Sequence, residues 1–208
     1  GGMGMGATSS EFSCELDVSA CEVAALLLRE VWNTHKWVTY GTGYAVLRLG
    51  DEAKFHVWAD AFCAPGSDLG GVHTHRWHLA STVLLGRIET ATLREVEGGE
   101  YLAQGCGCGV GPAMSPRACG LVEVQRAQAK AGHTYTSSIG SIHRVVGFSS
   151  PTLTFVRKRG RRAEDDATFF ELAGRTSVNP YTTPRKLTLD DRLVVVDAVR
   201  AALRRWVG

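Results

Sequence analysis

The feature that most constrains the fold is a succession of apolar runs between residues 37 and 159, each rich in β-branched and aromatic residues. The runs are WVTYGTGYAVLRL, AKFHVWADAF, VHTHRWHLASTVLLGRIETATL, GLVEVQRAQA and PTLTFVRKR. Runs of this kind are typical of β-strands, and the Gly, Pro and Asp residues around them are typical of turns. Because the runs follow one another without a helical pattern between them, they predict a closed antiparallel sheet or a sandwich.

Helical periodicity occurs at the two ends of the chain. Residues 17–33 carry apolar side chains at near-helical spacing after a capping residue, Asp17 or Ser19, and predict an N-terminal helix. Thr188 and Asp191 have the spacing of a capping box and predict the start of a C-terminal helix. The predicted buried face of that helix consists of Leu193, Val194, Val196, Val199, Ala202, Leu203 and Trp206.

Length and composition limit the class of protein. A chain of 208 residues, 44% of them hydrophobic, predicts a flexible leader at residues 1–13 and a single domain at residues 14–208. A formal net charge of +2 does not indicate a nucleic-acid or membrane partner. The N-terminus lacks a signal-peptide pattern, and no apolar run approaches the ~20 residues of a membrane span. We therefore predict a cytoplasmic protein that binds a small molecule.

A basic segment at residues 157–162 could contact phosphate groups. Acidic residues at positions 164–166 would offset much of its field, and Gly160 marks a turn. The segment is therefore interpreted as a solvated hairpin tip.

The cysteines allow two interpretations. The chain has six, and reduced thiols are the default for a protein without secretory features. Cys106, Cys108 and Cys119 lie in or beside a Gly- and Pro-rich segment, residues 103–120, which is interpreted as a long loop covering a cavity. Three thiolates are one ligand short of a structural zinc site, so incidental thiols are favoured and the role of these cysteines stays open.

The segment GVHTHRWH at residues 71–78 holds three of the seven histidines. If the segment is one strand, His73 and His75 project from the same face and form half of a metal site. The same alternation turns Trp77 toward the cavity and His78 away from it. A β-bulge would instead turn His78 inward, and His78 is therefore an alternative fourth ligand.

A third ligand has to come from another strand. The best source is His143 in SSIGSIHRVVG, which follows a glycine turn and leads a β-like run. His35, His56 and His133 are interpreted as structural. The alternative for His73, His75 and His143 is that they too are structural, each with its own hydrogen-bond partner.

These two segments resemble the two metal motifs of the cupin superfamily. The matching positions are His73, His75 and Gly86 in the first motif and Gly132, Ser138, Gly140 and His143 in the second. Ser138 stands where proline is usual, and Leu79 stands where most cupins carry a glutamate ligand. The remaining set of three neutral imidazoles is similar to that of the cysteine dioxygenase branch, the thiol dioxygenases.

The resemblance implies a mainly-β, cupin-type antiparallel barrel of the double-stranded β-helix or jelly-roll kind, with the two terminal helices added. It also implies Fe(II) as the cofactor, with Zn, Ni, Mn or Cu as alternatives, O₂ as a co-substrate, and a homodimer. That branch places a serine, a histidine and a tyrosine on the strand after the third ligand. Thr154, Val156 and Lys158 stand there in this chain. The substrate of the branch is therefore not carried over.

Two further residues are candidates for contacts with the substrate. Arg48 could clamp a carboxylate or phosphate through its planar guanidinium, and the alternative is a solvated surface arginine. Tyr135 could donate a hydrogen bond to bound substrate, and the alternative is an aromatic of the barrel wall.

The leading hypothesis is an Fe(II)-dependent oxygenase acting on a small polar metabolite, a thiol or an amino-acid derivative. One alternative is a metal-dependent isomerase or lyase that does not use O₂. The other is a small-molecule-binding protein without enzymatic activity.

Overall fold

The computed structural model describes residues 29, 36–64, 69, 71–105, 115–160, 167–174 and 184–207. The strands are β1 (Val38–Thr39), β2 (Thr42–Leu49), β3 (Ala53–Cys63), β4 (Val72–His73), β5 (His78–Leu85), β6 (Arg87–Gly105), β7 (Arg117–Lys130), β8 (Thr134–Ser137), β9 (Ile142–Phe148), β10 (Thr152–Arg159), β11 (Thr168–Leu172) and β12 (Arg185–Lys186). One helix, α1 (Leu189–Val207), follows them. The predicted mainly-β, antiparallel architecture is confirmed.

The strands form two sheets. The seven-stranded sheet has the order β12-β1-β2-β3-β10-β5-β8, and the five-stranded sheet has the order β11-β4-β9-β6-β7. All pairings within them are antiparallel. Closure of the two sheets into a barrel remains a prediction.

Alternation along the strands builds two cores on opposite faces of the seven-stranded sheet. On β3, Phe55 and Val57 join a core that includes Val195 and Val199 of α1. Trp58 faces the other way and packs with Val145 of β9 in a core between the two sheets. The layers are therefore helix, sheet and sheet, and the space between the sheets receives the side chains at positions 54, 56 and 58 of β3.

A glycine allows the chain to pass from β5 to β6, which lie in different sheets. Gly86 has a φ of +77°, and a Cβ atom there would lie 2.7 Å from the carbonyl oxygen of Pro151. A side chain at this position would meet both backbone strain and a steric clash. This is the glycine that the sequence placed in the first histidine motif.

The capping box at the start of α1 is confirmed. The Asp191 amide donates to the Thr188 hydroxyl at 3.2 Å, and the Thr188 amide donates to the Asp191 carboxylate at 2.8 Å. Arg185 donates to the same carboxylate at 2.7 Å. Burial alone would raise the pKa of Asp191, but the hydrogen bonds from Arg185 and Thr188 lower it overall. These contacts set the helix start against the sheet.

The predicted buried face of α1 needs one correction. Leu193 is 56% exposed, whereas Val195, which the prediction omitted, is fully buried with Val199 and Ala202. Positions 195, 199 and 202 share one face at 3.6 residues per turn, and position 193 lies about 200° from position 195 on the helix.

Two predicted elements have different bounds in the structure. The long run starting at residue 72 is not one strand, because β4 ends at His73, β5 begins at His78, and the chain changes sheet between them. The predicted loop at residues 103–120 is strand at both ends, where Ala103 pairs with Arg117. These residues form strands despite their weak hydrophobic periodicity, because β6 and β7 pair with each other there. The part between, with Cys106 and Cys108, lies outside the described residues.

The predicted leader at residues 1–13 and the predicted N-terminal helix at residues 17–33 also lie outside the described residues, apart from Arg29. The first residues of the basic segment, up to Arg159, are the last residues of β10. The segment continues with Gly160, which has a φ of +71°. Within the described ranges, no helix combines the length and apolar content needed to cross a membrane.

We predict that Thr188→Ala lowers the free energy of unfolding by about 1 kcal/mol, because the first turn of α1 loses the hydroxyl acceptor of its cap. For a domain of this size the midpoint of thermal unfolding should fall by about 2–4 °C. Thr188→Ser retains the hydroxyl and is the matched control. An alanine variant as stable as wild type would show that the cap does not stabilise this helix.

Candidate metal centre

Three histidines converge between the two sheets. His73 on β4 and His143 on β9 are direct partners in the antiparallel ladder, and His75 follows two residues after His73. One ring nitrogen from each lies within 4.8 Å of the other two, and His73 Nε2 is 3.1 Å from His75 Nε2. The ring centroids are 4.6, 4.7 and 4.9 Å apart. The predicted grouping of these three residues is confirmed.

The physical reason that the sequence suggested for the His73–His75 pair is wrong. His75 lies outside the strands, in the crossing between β4 and β5, so alternation along one strand does not align the two rings. Long-range hydrogen bonds of the backbone around His75 position it instead. The Thr74 amide donates to the Thr168 carbonyl at 2.8 Å, the Thr168 amide donates to the Thr74 hydroxyl at 2.8 Å, and the Gly140 amide donates to the His75 carbonyl at 3.1 Å.

Hydrogen bonds on the far side of the rings orient two of the histidines. His73 Nδ1 lies 3.2 Å from the Gly71 carbonyl, and His143 Nδ1 lies 3.2 Å from the Ser141 carbonyl and 3.3 Å from the Ser137 hydroxyl. A carbonyl oxygen only accepts, so Nδ1 carries the proton in both rings. The Nε2 lone pairs are left to face the centre of the group, an arrangement typical of metal-binding histidines.

The surroundings keep the rings of His75 and His143 neutral. Burial, with the adjoining His73 and His143, holds the pKa of His75 well below its usual range. Burial also lowers the pKa of His143, although the hydrogen bond to Ser141 acts in the opposite direction. Neutral imidazole is the form that binds metals, so both rings are in the ligand form at neutral pH.

The spacing of the His73 and His75 rings fits a shared divalent ion. Two nitrogens that each lie about 2.1 Å from one ion and subtend a right angle stand about 3.0 Å apart. The 3.1 Å between His73 Nε2 and His75 Nε2 matches that spacing. With His143, whose ring nitrogen lies within 4.8 Å of these two, they could hold one ion and leave its other positions for further ligands.

Sequence reasoning missed two residues beside this group, Lys54 and His56 on β3. His56 was interpreted as a satisfied structural histidine, yet its Nε2 is buried and has no hydrogen-bond partner in the described part of the chain. Burial, followed by the positive charges of Arg48 and Lys158, lowers the pKa of Lys54 to about 8. The positive charge of Lys54 in turn lowers the pKa of His75 and of His143. The signal in the sequence was that Lys54 and His56 stand at alternate positions of the run AKFHVWADAF and therefore share one face of a strand.

The two predicted substrate-contacting residues lie in different settings. Tyr135 on β8 is partly buried, is hydrogen-bonded to Ser81, and shares a strand face with Ser137, which contacts His143. Tyr135 is therefore on the side of β8 that carries a contact to the histidine group. Arg48 on β2 is exposed, and its Nη2 lies 3.4 Å from the Tyr40 hydroxyl. The roles of both residues stay predictions.

Trp77 and His78 lie where the chain enters β5. Trp77 is in the crossing and not on a strand, so alternation does not set its direction, and the Lys158 ammonium sits 3.8 Å from its ring centroid. His78 opens β5, is exposed, and lies outside the three-histidine group.

Cys119 does not form a metal site with the described residues. It is a buried free thiol in an apolar cluster with Leu93, Ala103 and Phe170. Burial raises the pKa of its thiol. An apolar setting of this kind is typical of an inert structural cysteine.

Neither models of known protein families nor the curated proteins gave a match to this chain. The mainly-β fold with its three-histidine group is compatible with a cupin. The resemblance rests on the two histidine motifs and on the geometry that brings them together.

We predict that His143→Ala abolishes metal retention while the fold is preserved. Loss of a mere outer partner of a ligand costs about 10–100-fold in metal affinity, so loss of a ligand should cost at least about 100-fold. Elemental analysis after anaerobic Fe(II) loading and desalting measures retention, and circular dichroism reports the fold. His133→Ala, which removes a histidine outside the group, is the control. Equal iron content in the two variants would refute the ligand assignment.

His78→Ala is expected to retain metal with an affinity within about twofold of wild type, because an exposed side chain outside the group loses no ligand contact. Competition with a chelator of known affinity measures the difference. A large loss would mean that His78 joins the site in the metal-bound protein.

Proposed function

We propose that this protein is a non-haem, Fe(II)-dependent oxygenase of the cupin type that acts on a small polar metabolite, a thiol or an amino-acid derivative. The observation that carries the proposal is the convergence of His73, His75 and His143, with His73 Nε2 and His75 Nε2 3.1 Å apart. A set of three neutral nitrogen donors leaves a divalent ion its full charge and several open positions.

The donor set supports redox chemistry with O₂. Imidazole suits Fe, Cu, Ni and Zn, and an Fe(II) ion with adjacent open positions, when bound, would supply the binding of substrate and the activation of O₂. The protein's contribution is to hold the three rings rigid through Gly71, Ser141 and the Thr74–Thr168 contacts and to exclude bulk water. The three histidines are half-buried, which limits their contact with bulk water.

Tyr135 is the proposed hydrogen-bond donor to the substrate. Burial raises the pKa of its hydroxyl, although the hydrogen bond to Ser81 lowers it, so the phenol keeps its proton at neutral pH. A protonated phenol can orient a substrate oxygen or nitrogen and can return a proton to it. Arg48, exposed on β2, is the proposed clamp for a substrate group that extends to the surface.

The test is an oxygen-electrode screen of anaerobically prepared, Fe(II)-loaded protein against small thiols and amino acids. We expect substrate-dependent O₂ uptake with Fe(II), and none with Zn(II)-loaded protein or with His143→Ala, because Zn(II) has no redox chemistry.

Two other outcomes would overturn the proposal. Turnover that proceeds equally without O₂ would identify a metal-dependent isomerase or lyase. Saturable ligand binding that survives complete metal removal, without turnover, would identify a small-molecule-binding protein.

A further inference from the structure

Three polar atoms in the space between the sheets, His56 Nε2, Trp58 Nε1 and Thr154 Oγ1, are buried and have no hydrogen-bond partner among the described residues. Trp58 is 4% exposed and Thr154 is 0% exposed. Buried polar atoms in proteins are nearly always paired, and leaving one unpaired costs free energy. Three of them together mark this region as a candidate binding site.

These atoms form one patch. His56 on β3 and Thr154 on β10 are direct partners in the antiparallel ladder, so their side chains project side by side from the same face. The His56 ring meets the edge of the Trp58 ring at a centroid distance of 5.9 Å. Lys54 is two residues before His56 and shares this face. We name Lys54, His56, Trp58 and Thr154 the inner-face patch.

The charge around the patch is positive. The described charges that act on Lys54 are those of Arg48 and Lys158, and both are cations. Charge interactions also link Lys54 with His75 and His143, and link His56 with His73. The patch is therefore near enough to the histidine group for their charges to interact, and a negatively charged ligand would relieve the repulsion among the cations.

The hydrogen-bonding groups of the inner-face patch also favour an anion. An indole N–H and an ammonium only donate, and a threonine hydroxyl can donate. The group that satisfies Lys54, Trp58 and Thr154 together is one with several acceptor lone pairs. Carboxylate and phosphate oxygens combine such lone pairs with negative charge.

We propose that the inner-face patch binds the oxyanion end of the substrate, a carboxylate or a phosphate, whose other end reaches the histidine group. The second half of this statement rests on the proposed function, whereas the anion site itself is testable without metal. Lys54 is half-buried, whereas the predicted clamp Arg48, its ladder partner on β2, is exposed.

The test uses metal-free wild-type protein and three probes: acetate, its uncharged isostere acetamide, and inorganic phosphate. Binding is followed through the indole N–H resonance of Trp58 in ¹⁵N-labelled protein, assigned by Trp58→Phe among the five tryptophans. We expect a saturable shift with acetate or phosphate and at least about tenfold weaker binding of acetamide, which lacks the charge. The tighter of the two anions identifies the recognised group.

Two variants separate recognition from structure. Lys54→Met retains the length of the side chain and should weaken anion binding at least about tenfold, whereas Lys130→Met, which changes an exposed side chain of β7, should bind as wild type does. Thr154→Val removes an unpartnered hydroxyl, so we expect weaker anion binding with no loss of thermal stability. A hydroxyl with a purely structural role would give the reverse pattern.

The affinity of the inner-face patch for anions should also depend on pH. Because burial, followed by Arg48 and Lys158, lowers the pKa of Lys54 to about 8, Lys54 loses its charge as the pH rises through that value, and anion affinity should fall. His56, His75 and His143 have lowered pKa values and are neutral throughout this range. Equal affinity at pH 7 and pH 9.5 would contradict the role of Lys54.

The two proposals fail separately. An unshifted Trp58 resonance, or equal anion binding by wild type and Lys54→Met, would overturn the anion site and leave the metal test on His143 untouched. Iron retention by His143→Ala would overturn the proposed function, while a shift that depends on Lys54 would still establish the anion site.

Discussion

The three-histidine group depends on the register between two paired strands, β4 and β9. β4 pairs with β9 so that His73 stands opposite His143, and a slip of one residue would turn one ring to the other face of the sheet. β4 is only two residues long and is stabilised by β11 on its other side, where Phe169 pairs with His73. The hydrogen bonds between Thr74 and Thr168 and from Gly140 to His75 fix His75 relative to this pair. The rest of the fold holds these few backbone contacts in place.

The second constraint is electrostatic. Burial and the nearby charge of Lys54 disfavour the protonated forms of His75 and His143, which leaves their lone pairs ready for a cation. A divalent ion beside Lys54 would then place like charges close together. An anionic ligand between the inner-face patch and the histidine group would balance both. The proposed metal site and the proposed anion site therefore complement each other, with one formed mainly by the five-stranded sheet and the other by the seven-stranded sheet.

The layered architecture explains how such a polar interior is stabilised. Phe55, Val57 and Leu153 bury one face of the seven-stranded sheet against α1, while the other face carries His56 and Thr154. Apolar packing on the helix side and in the core between the sheets supplies the burial that favours folding. Polar residues that have no partner among the described residues can then be tolerated, a cost that proteins accept at binding sites.

Local chemistry in the sequence was sufficient for several features. The β-branched and aromatic runs predicted the mainly-β fold, and the Thr188–Asp191 spacing predicted the cap of α1. Both depend on neighbours within a few residues. The two histidine motifs indicated which three side chains meet only through their resemblance to cupin motifs, because His73 and His143 come together by the pairing of β4 with β9. The position of His75 in a crossing and the exposure of Leu193 were decided by long-range packing, which alternation and periodicity do not encode. The partnerless state of His56 was decided in the same way, because it depends on which strands lie beside β3. Only the tertiary structure places Lys54 and Thr154 together, since they come from strands about one hundred residues apart in the chain.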